Sequence, residues 1–137
     1  MNILYEERFR ELSEKAKDAI VSGDIGMYSS VHKQMAEIFH RETDYPDEIK
    51  SRMVAYHCDL SGSGGRVWID RQNIEGIGSA ASQYGVGEKE LHDIFFGVIR
   101  KDMTPRHSMT VKGSYKLLTL LLQKKEKKVN SIVENLR

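Results

Sequence analysis

Several features that mark specialised proteins are scarce in this sequence. Its 137 residues include one cysteine, two prolines and one tryptophan, and Lys and Arg nearly balance Asp and Glu, leaving a formal net charge of +1. A lone cysteine, Cys58, excludes an intramolecular disulfide and fits a reducing compartment. The longest apolar run, 117–122, falls far short of the about 20 residues that span a bilayer. The opening MNILYEERFRELSEK becomes charged too early for a secretory leader, so a cytoplasmic protein without membrane contact is expected. His32, His40, His57, His92 and His107 are dispersed, and none shows the close paired spacing of a zinc site. His57 and Cys58 are adjacent, and in a helix their side chains diverge by about 100°, which disfavours a nucleophile–base pair. The glycine-rich stretch Ser61-Gly62-Ser63-Gly64-Gly65 is not followed by the Gly-Lys-Ser/Thr of a phosphate loop. No catalytic motif, metal site or cofactor is therefore expected, and the chain does not read as an enzyme.

What is present is helical periodicity. With 39% hydrophobic residues, the length suits one domain, or two small lobes sharing a core. Tyr5, Phe9, Leu12, Ala16 and Ala19/Ile20 recur at spacings of three and four and predict a helix over 3–22. Gly23 ends it, and Asp24 caps a second helix over 25–41 that buries Tyr28, Val31, Met35 and Ile38/Phe39. Pro46, at the first helical position, opens a third helix carrying Ile49, Met53, Tyr56 and Leu60. Residues 1–60 thus form a three-helix unit, 61–65 a Gly/Ser loop, and 66–137 a second unit, packed together as one domain. In the second unit Val67-Trp68-Ile69 is compatible with a strand or a helix lead-in. Asp70 is placed to cap a helix over 71–84, followed by another over 88–101 with Leu91, Ile94/Phe95 and Val98/Ile99 inward. The remainder reads as a long helix from about 112, with a small wing-like hairpin near 109–116 as the alternative. The expected fold is all-α with about six helices.

Charge is unevenly divided. Residues 1–65 carry 8 Lys/Arg against 12 Asp/Glu, whereas 66–137 carry 13 against 8. A basic half of this kind points to nucleic-acid contact. Within it, Ile77-Gly-Ser-Ala-Ala-Ser-Gln-Tyr-Gly-Val-Gly-Glu-Lys-Glu-Leu-His-Asp-Ile94 combines small residues at Ala80 and Ala81, a turn glycine at Gly85, and inward apolar residues at Val86, Leu91 and Ile94. Two short helices crossing steeply need that pattern for steric reasons. The stretch 71–101 resembles the helix-turn-helix motif; the likeness is confined to it.

The resemblance implies a small DNA-binding transcription regulator whose second helix lies in the major groove of double-stranded DNA, in many such proteins as a homodimer. Lys89 and His92 would then face the groove, while Arg71, Arg100, Lys101 and Arg106 hold phosphates. Against this, Glu88, Glu90 and Asp93 share the outward face with Lys89, and carboxylates repel a phosphate backbone. The alternative is a protein-interaction module of a larger transcription or replication assembly, with Glu88, Glu90 and Asp93 as an acidic docking surface for a basic partner. The run Gln123-Lys-Lys-Glu-Lys-Lys128 fits a solvated helical face as well as a phosphate-binding cluster.

Overall fold

The computed structural model describes residues 2–61, 71–101 and 110–123, with the side chains of Arg100 and Lys101 excepted. Six helices account for nearly all of them: α1 (Ile3–Ser22), α2 (Ile25–Arg41), α3 (Tyr45–Ser61), α4 (Arg71–Gln83), α5 (Glu88–Lys101) and α6 (Val111–Leu122). There is no strand among the described residues. Residues 62–70, including Trp68 and the Asp70 cap, lie outside the described residues, as do Arg106, Met109 and the lysine run 124–128.

Local chemistry sets the helix ends. The Asn2 side chain accepts from Leu4 N–H at 2.9 Å, and Asp24 accepts from Met27 N–H at 2.9 Å, each satisfying an orphan donor. Gly23, in the left-handed region with φ 72°, ends α1 and lets Asp24 N–H reach the Ala19 carbonyl. Asp44 precedes α3 and accepts from Asp47 N–H at 3.3 Å, so Pro46 sits second in the helix rather than first. The shift costs nothing, because no first-turn N–H has an intrahelical partner. Residues 111–116 are helical, which corrects the hairpin alternative: Thr110 Oγ1 accepts from Gly113 N–H at 3.1 Å and so starts α6 there.

α3 is the axis of the molecule. α2 packs along one side of it, α4, α5 and α6 cover the other, and α1 rests on α2. The small core between α1 and α2 comprises Leu12, Val31, Met35, Ile38 and Phe39, with Tyr5, Phe9 and Ala16 at its edge. The larger core joins Ile49, Met53, Val54, Tyr56 and Leu60 of α3 to Ile74, Ile77, Ala80 and Ala81 of α4, Phe95 and Ile99 of α5, and Leu117 and Leu118 of α6. The apolar stripe predicted for α3 is buried, but so is most of the rest of that helix, Glu48, Ser51, Arg52, His57 and Ser61 included. Tyr56 donates to the Ser114 carbonyl at 2.7 Å, and His57 Nδ1 lies 2.8 Å from Ser114 Oγ, tying α6 to α3 through buried polar groups.

Two positions carry a measurable cost. Thr43, in the turn between α2 and α3, has φ 54°, a conformation that a β-branched side chain adopts only under strain. Replacing it with Gly should raise stability by about 0.5–1 kcal/mol, the relief of strain exceeding the added chain entropy; urea denaturation should show a higher midpoint at an unchanged slope. His32 packs edge-on to Tyr28, and burial lowers its pKa from 6.5 to about 4. The unfolded chain therefore takes up that proton first as pH falls. Stability is intact above pH 6.5 and declines between about 6.5 and 4, by up to about 3 kcal/mol. His32→Phe should remove that part of the decline, read as the difference between wild-type and variant unfolding energies at pH 7.5 and 4.5.

Candidate interaction surface and polar cleft

α4, the turn and α5 occupy the expected positions. At the turn Val86 N–H reaches the Ala81 carbonyl at 2.8 Å, with Gly85 in the left-handed region at φ 67°. Tyr84 stacks on Tyr45 with ring centroids 4.5 Å apart, which pins the turn to the start of α3. Each of the two helices packs on α3 and α6 rather than chiefly on the other.

The outward face of α5 is acidic. Glu88, Lys89, Glu90, His92 and Asp93 are all exposed. Glu88 and Glu90 sit in the first turn, where negative charge complements the helix dipole. Lys89 Nζ reaches Asp93 at 3.3 Å, and His92 Nδ1 lies 3.2 Å from the other Asp93 oxygen. Hydrogen bonds from His92 and then Lys89 lower the Asp93 pKa. The His92 ring also packs on Phe96 and Tyr115, at centroid distances of 4.6 and 5.4 Å. Partial burial, reinforced by the charges of Glu88 and Asp93, raises the Tyr115 pKa. The structure thus gathers Lys89, His92 and Asp93 into one cluster, with Glu88 and Glu90 beside it. Arg71 is exposed at the start of α4, in another element. The side chains of Arg100 and Lys101, and all of Arg106, lie outside the described residues.

No protein family, curated protein or solved structure matches this chain. The reading of its surface therefore rests on its own residues.

A second polar feature was not visible in the sequence. Along the α2–α3 contact, Ser29 Oγ donates its one hydrogen to Asp59, with the Ala55 carbonyl at 3.2 Å as the alternative acceptor, and Lys33 Nζ lies 2.8 Å from Asp59. Further along, Arg52 Nε donates to Glu48 at 2.9 Å, Arg52 Nη2 to Glu37 at 3.3 Å, and His40 Nδ1 lies 3.2 Å from Glu48. Asn73 of α4 donates to the Arg52 carbonyl at 2.7 Å. Of these groups Lys33, Glu37, Arg52 and Asn73, together with Gln34 and Gln72, line an open cleft of about 420 Å³. Gly76 makes room for Arg52: a Cβ there would stand 2.5 Å from Nε and 2.6 Å from Cζ. The sequence signal was a glycine inside a helix, four positions from Ala80 and not required by any turn. Among the described residues no group of three or more His, Cys, Asp or Glu could hold a metal ion.

That crowding separates two substitutions that helix propensity alone treats alike. Gly97 has nothing within 4 Å of a built Cβ, so Gly97→Ala should stabilise α5 by about 0.5–1 kcal/mol. Gly76→Ala should instead destabilise by about 2 kcal/mol, because it drives Arg52 off a carboxylate that is itself buried. Paired chemical denaturation of the two variants reads the contrast directly.

Proposed function

We propose that this chain is a helical protein-interaction module that presents the exposed face of α5 as an acidic docking ridge to a basic partner. The observation that carries the reading is the pairing of Lys89 with Asp93: among the described side chains of that face, the one lysine lies 3.3 Å from an aspartate of its own helix. With Glu88 and Glu90 beside this pair, the ridge offers carboxylates outward. A phosphate backbone is repelled by such a surface, whereas arginine or lysine side chains complement it.

The helix–turn–helix order of α4 and α5 supports direct binding to double-stranded DNA as the second reading. In that case Lys89 and His92 must leave Asp93 and the aromatic rings to meet bases, and phosphate contacts must come from Arg71, Arg100, Lys101 and Arg106. Either activity suits a cytoplasmic protein, and the buried Cys58 thiol, in no disulfide, fits a reducing compartment. No helix among the described residues is long and apolar enough to cross a membrane.

Fluorescence anisotropy with a mixed pool of duplex DNA, at low and at physiological salt, separates the two. Under the docking reading the wild type shows no salt-sensitive binding, and replacing Glu88, Glu90 and Asp93 together with Lys creates it. The same triple variant should lose at least tenfold in affinity for an arginine-rich peptide. Wild-type DNA binding that persists at physiological salt and is abolished by Arg100→Glu with Lys101→Glu would overturn the docking reading in favour of the regulator.

A further inference from the structure

We propose that the rings of Phe96 and Tyr115, with His92 beside them, seat an arginine side chain of the basic partner. Its guanidinium lies flat on the rings, and its N–H groups meet Glu88 and Asp93. This seat rests on the docking reading of the α5 ridge and names the residue that the partner supplies to it.

The rings are held from below. Phe95 is fully buried, and its ring lies 5.7 Å from that of Phe96 and 5.2 Å from that of Tyr115. Phe96 and Tyr115 lie 5.3 Å apart and are only partly buried, so α5 and α6 together present an aromatic surface to solvent. The exposed His92 ring extends it, 4.6 Å from Phe96 and 5.4 Å from Tyr115. The charges that bear on Tyr115 are those of Glu88 and Asp93, both of which raise its pKa. Lys112 and Lys116 flank Tyr115 on α6 but are exposed, and among the described residues neither pairs with a carboxylate.

Ring geometry decides which cation fits. Centroid separations of 4.6 to 5.4 Å put the three rings in contact with one another, so they form one surface and not opposed walls. A methylated ammonium is recognised by rings that surround it, and there is no space between these. An unmodified ammonium is a compact, strongly hydrated charge that gains little by resting on a ring in water. A guanidinium is planar and weakly hydrated on its faces; it stacks on an aromatic surface and keeps its edge N–H groups for carboxylates. Those carboxylates are within reach. Glu88 has no ion-pair partner among the described residues. Asp93 meets Lys89 through one oxygen and His92 through the other, and Lys89, 93% exposed, gives way at little cost.

The test titrates the full chain with a short labelled peptide alternating Gly and Arg, and with counterparts carrying Lys or citrulline in place of Arg. Fluorescence anisotropy gives the affinities, and side-chain chemical shifts report on the rings. The Arg peptide should bind about fivefold more tightly than the Lys peptide and shift the ring resonances of Phe96 and Tyr115. The citrulline peptide, equal in shape but uncharged, should bind roughly tenfold more weakly than the Arg peptide. Phe96→Leu, which keeps an apolar side chain over Phe95, should lower Arg-peptide affinity to that of the Lys peptide and leave the latter unchanged. Glu88→Gln should weaken both charged peptides. Equal binding of the Arg and Lys peptides to the wild type, a comparison that needs no variant to fold, overturns the arginine seat and leaves the acidic ridge standing. An unaltered Arg preference in Phe96→Leu does the same. Failure of both charged peptides to bind overturns the ridge and the seat together.

Discussion

The structure depends on a charged pair placed where an apolar core would be expected. Arg52 and Glu48 lie one turn apart on α3, at 8% and 3% exposure, in a helix covered by α2 on one side and by α4 to α6 on the other. Taking two such ions out of water costs several kcal/mol each, and mutual attraction offsets this only when the remaining donors and acceptors are met. Here they are met from neighbouring helices: His40 and Glu37 come from α2, while Asn73 of α4 engages the Arg52 backbone. The pair itself lies within α3, and the contacts from Glu37 and His40 of α2 and Asn73 of α4 are what tie those two helices to it.

The same reasoning applies with opposite sign at α5. Its ions are exposed, so each side chain can adopt a geometry without a large desolvation penalty, and pairing is set by proximity along the helix. Lys89 and Asp93 are one turn apart and find each other, and the His92 ring leans on Phe96 and Tyr115 while touching the same carboxylate. A recognition helix has to keep such groups available for a partner. Here Lys89 meets Asp93 while 93% exposed, a contact that a partner displaces at little cost.

Legibility in the sequence followed the physics of each element. α1 and α2 were readable to the residue because one apolar stripe, one turn glycine and one aspartate cap agree there. α3 was readable as a helix but not as the axis, because periodicity marks one buried face and is silent when polar residues are buried on the others. Pro46 was misplaced by one position, since proline is as comfortable second in a helix as first. The hairpin alternative near Gly113 gave way to α6 once Thr110 supplied a cap and Ser114 met both Tyr56 and His57. The acidic ridge was legible as a list of residues, but the Lys89–Asp93 pairing needed helix phase. The cleft was illegible because its walls come from three helices, and a sequence does not say which of its many charges will meet.

Gly76 belongs with the Arg52–Glu48 pair, because a Cβ there would collide with the guanidinium. A glycine inside a helix costs roughly 0.5–1 kcal/mol relative to alanine, and a buried ion pair is often no more stabilising than well-packed apolar residues of similar volume. Selection for stability alone would be served by alanine at 76 and by aliphatic side chains at 48 and 52. The chain instead accepts both costs at one point, and the product is a guanidinium held rigidly beside a cleft. Conformational specificity is what the two costs support, because Glu37 and His40 of α2 and Asn73 of α4 converge on this one pair of α3.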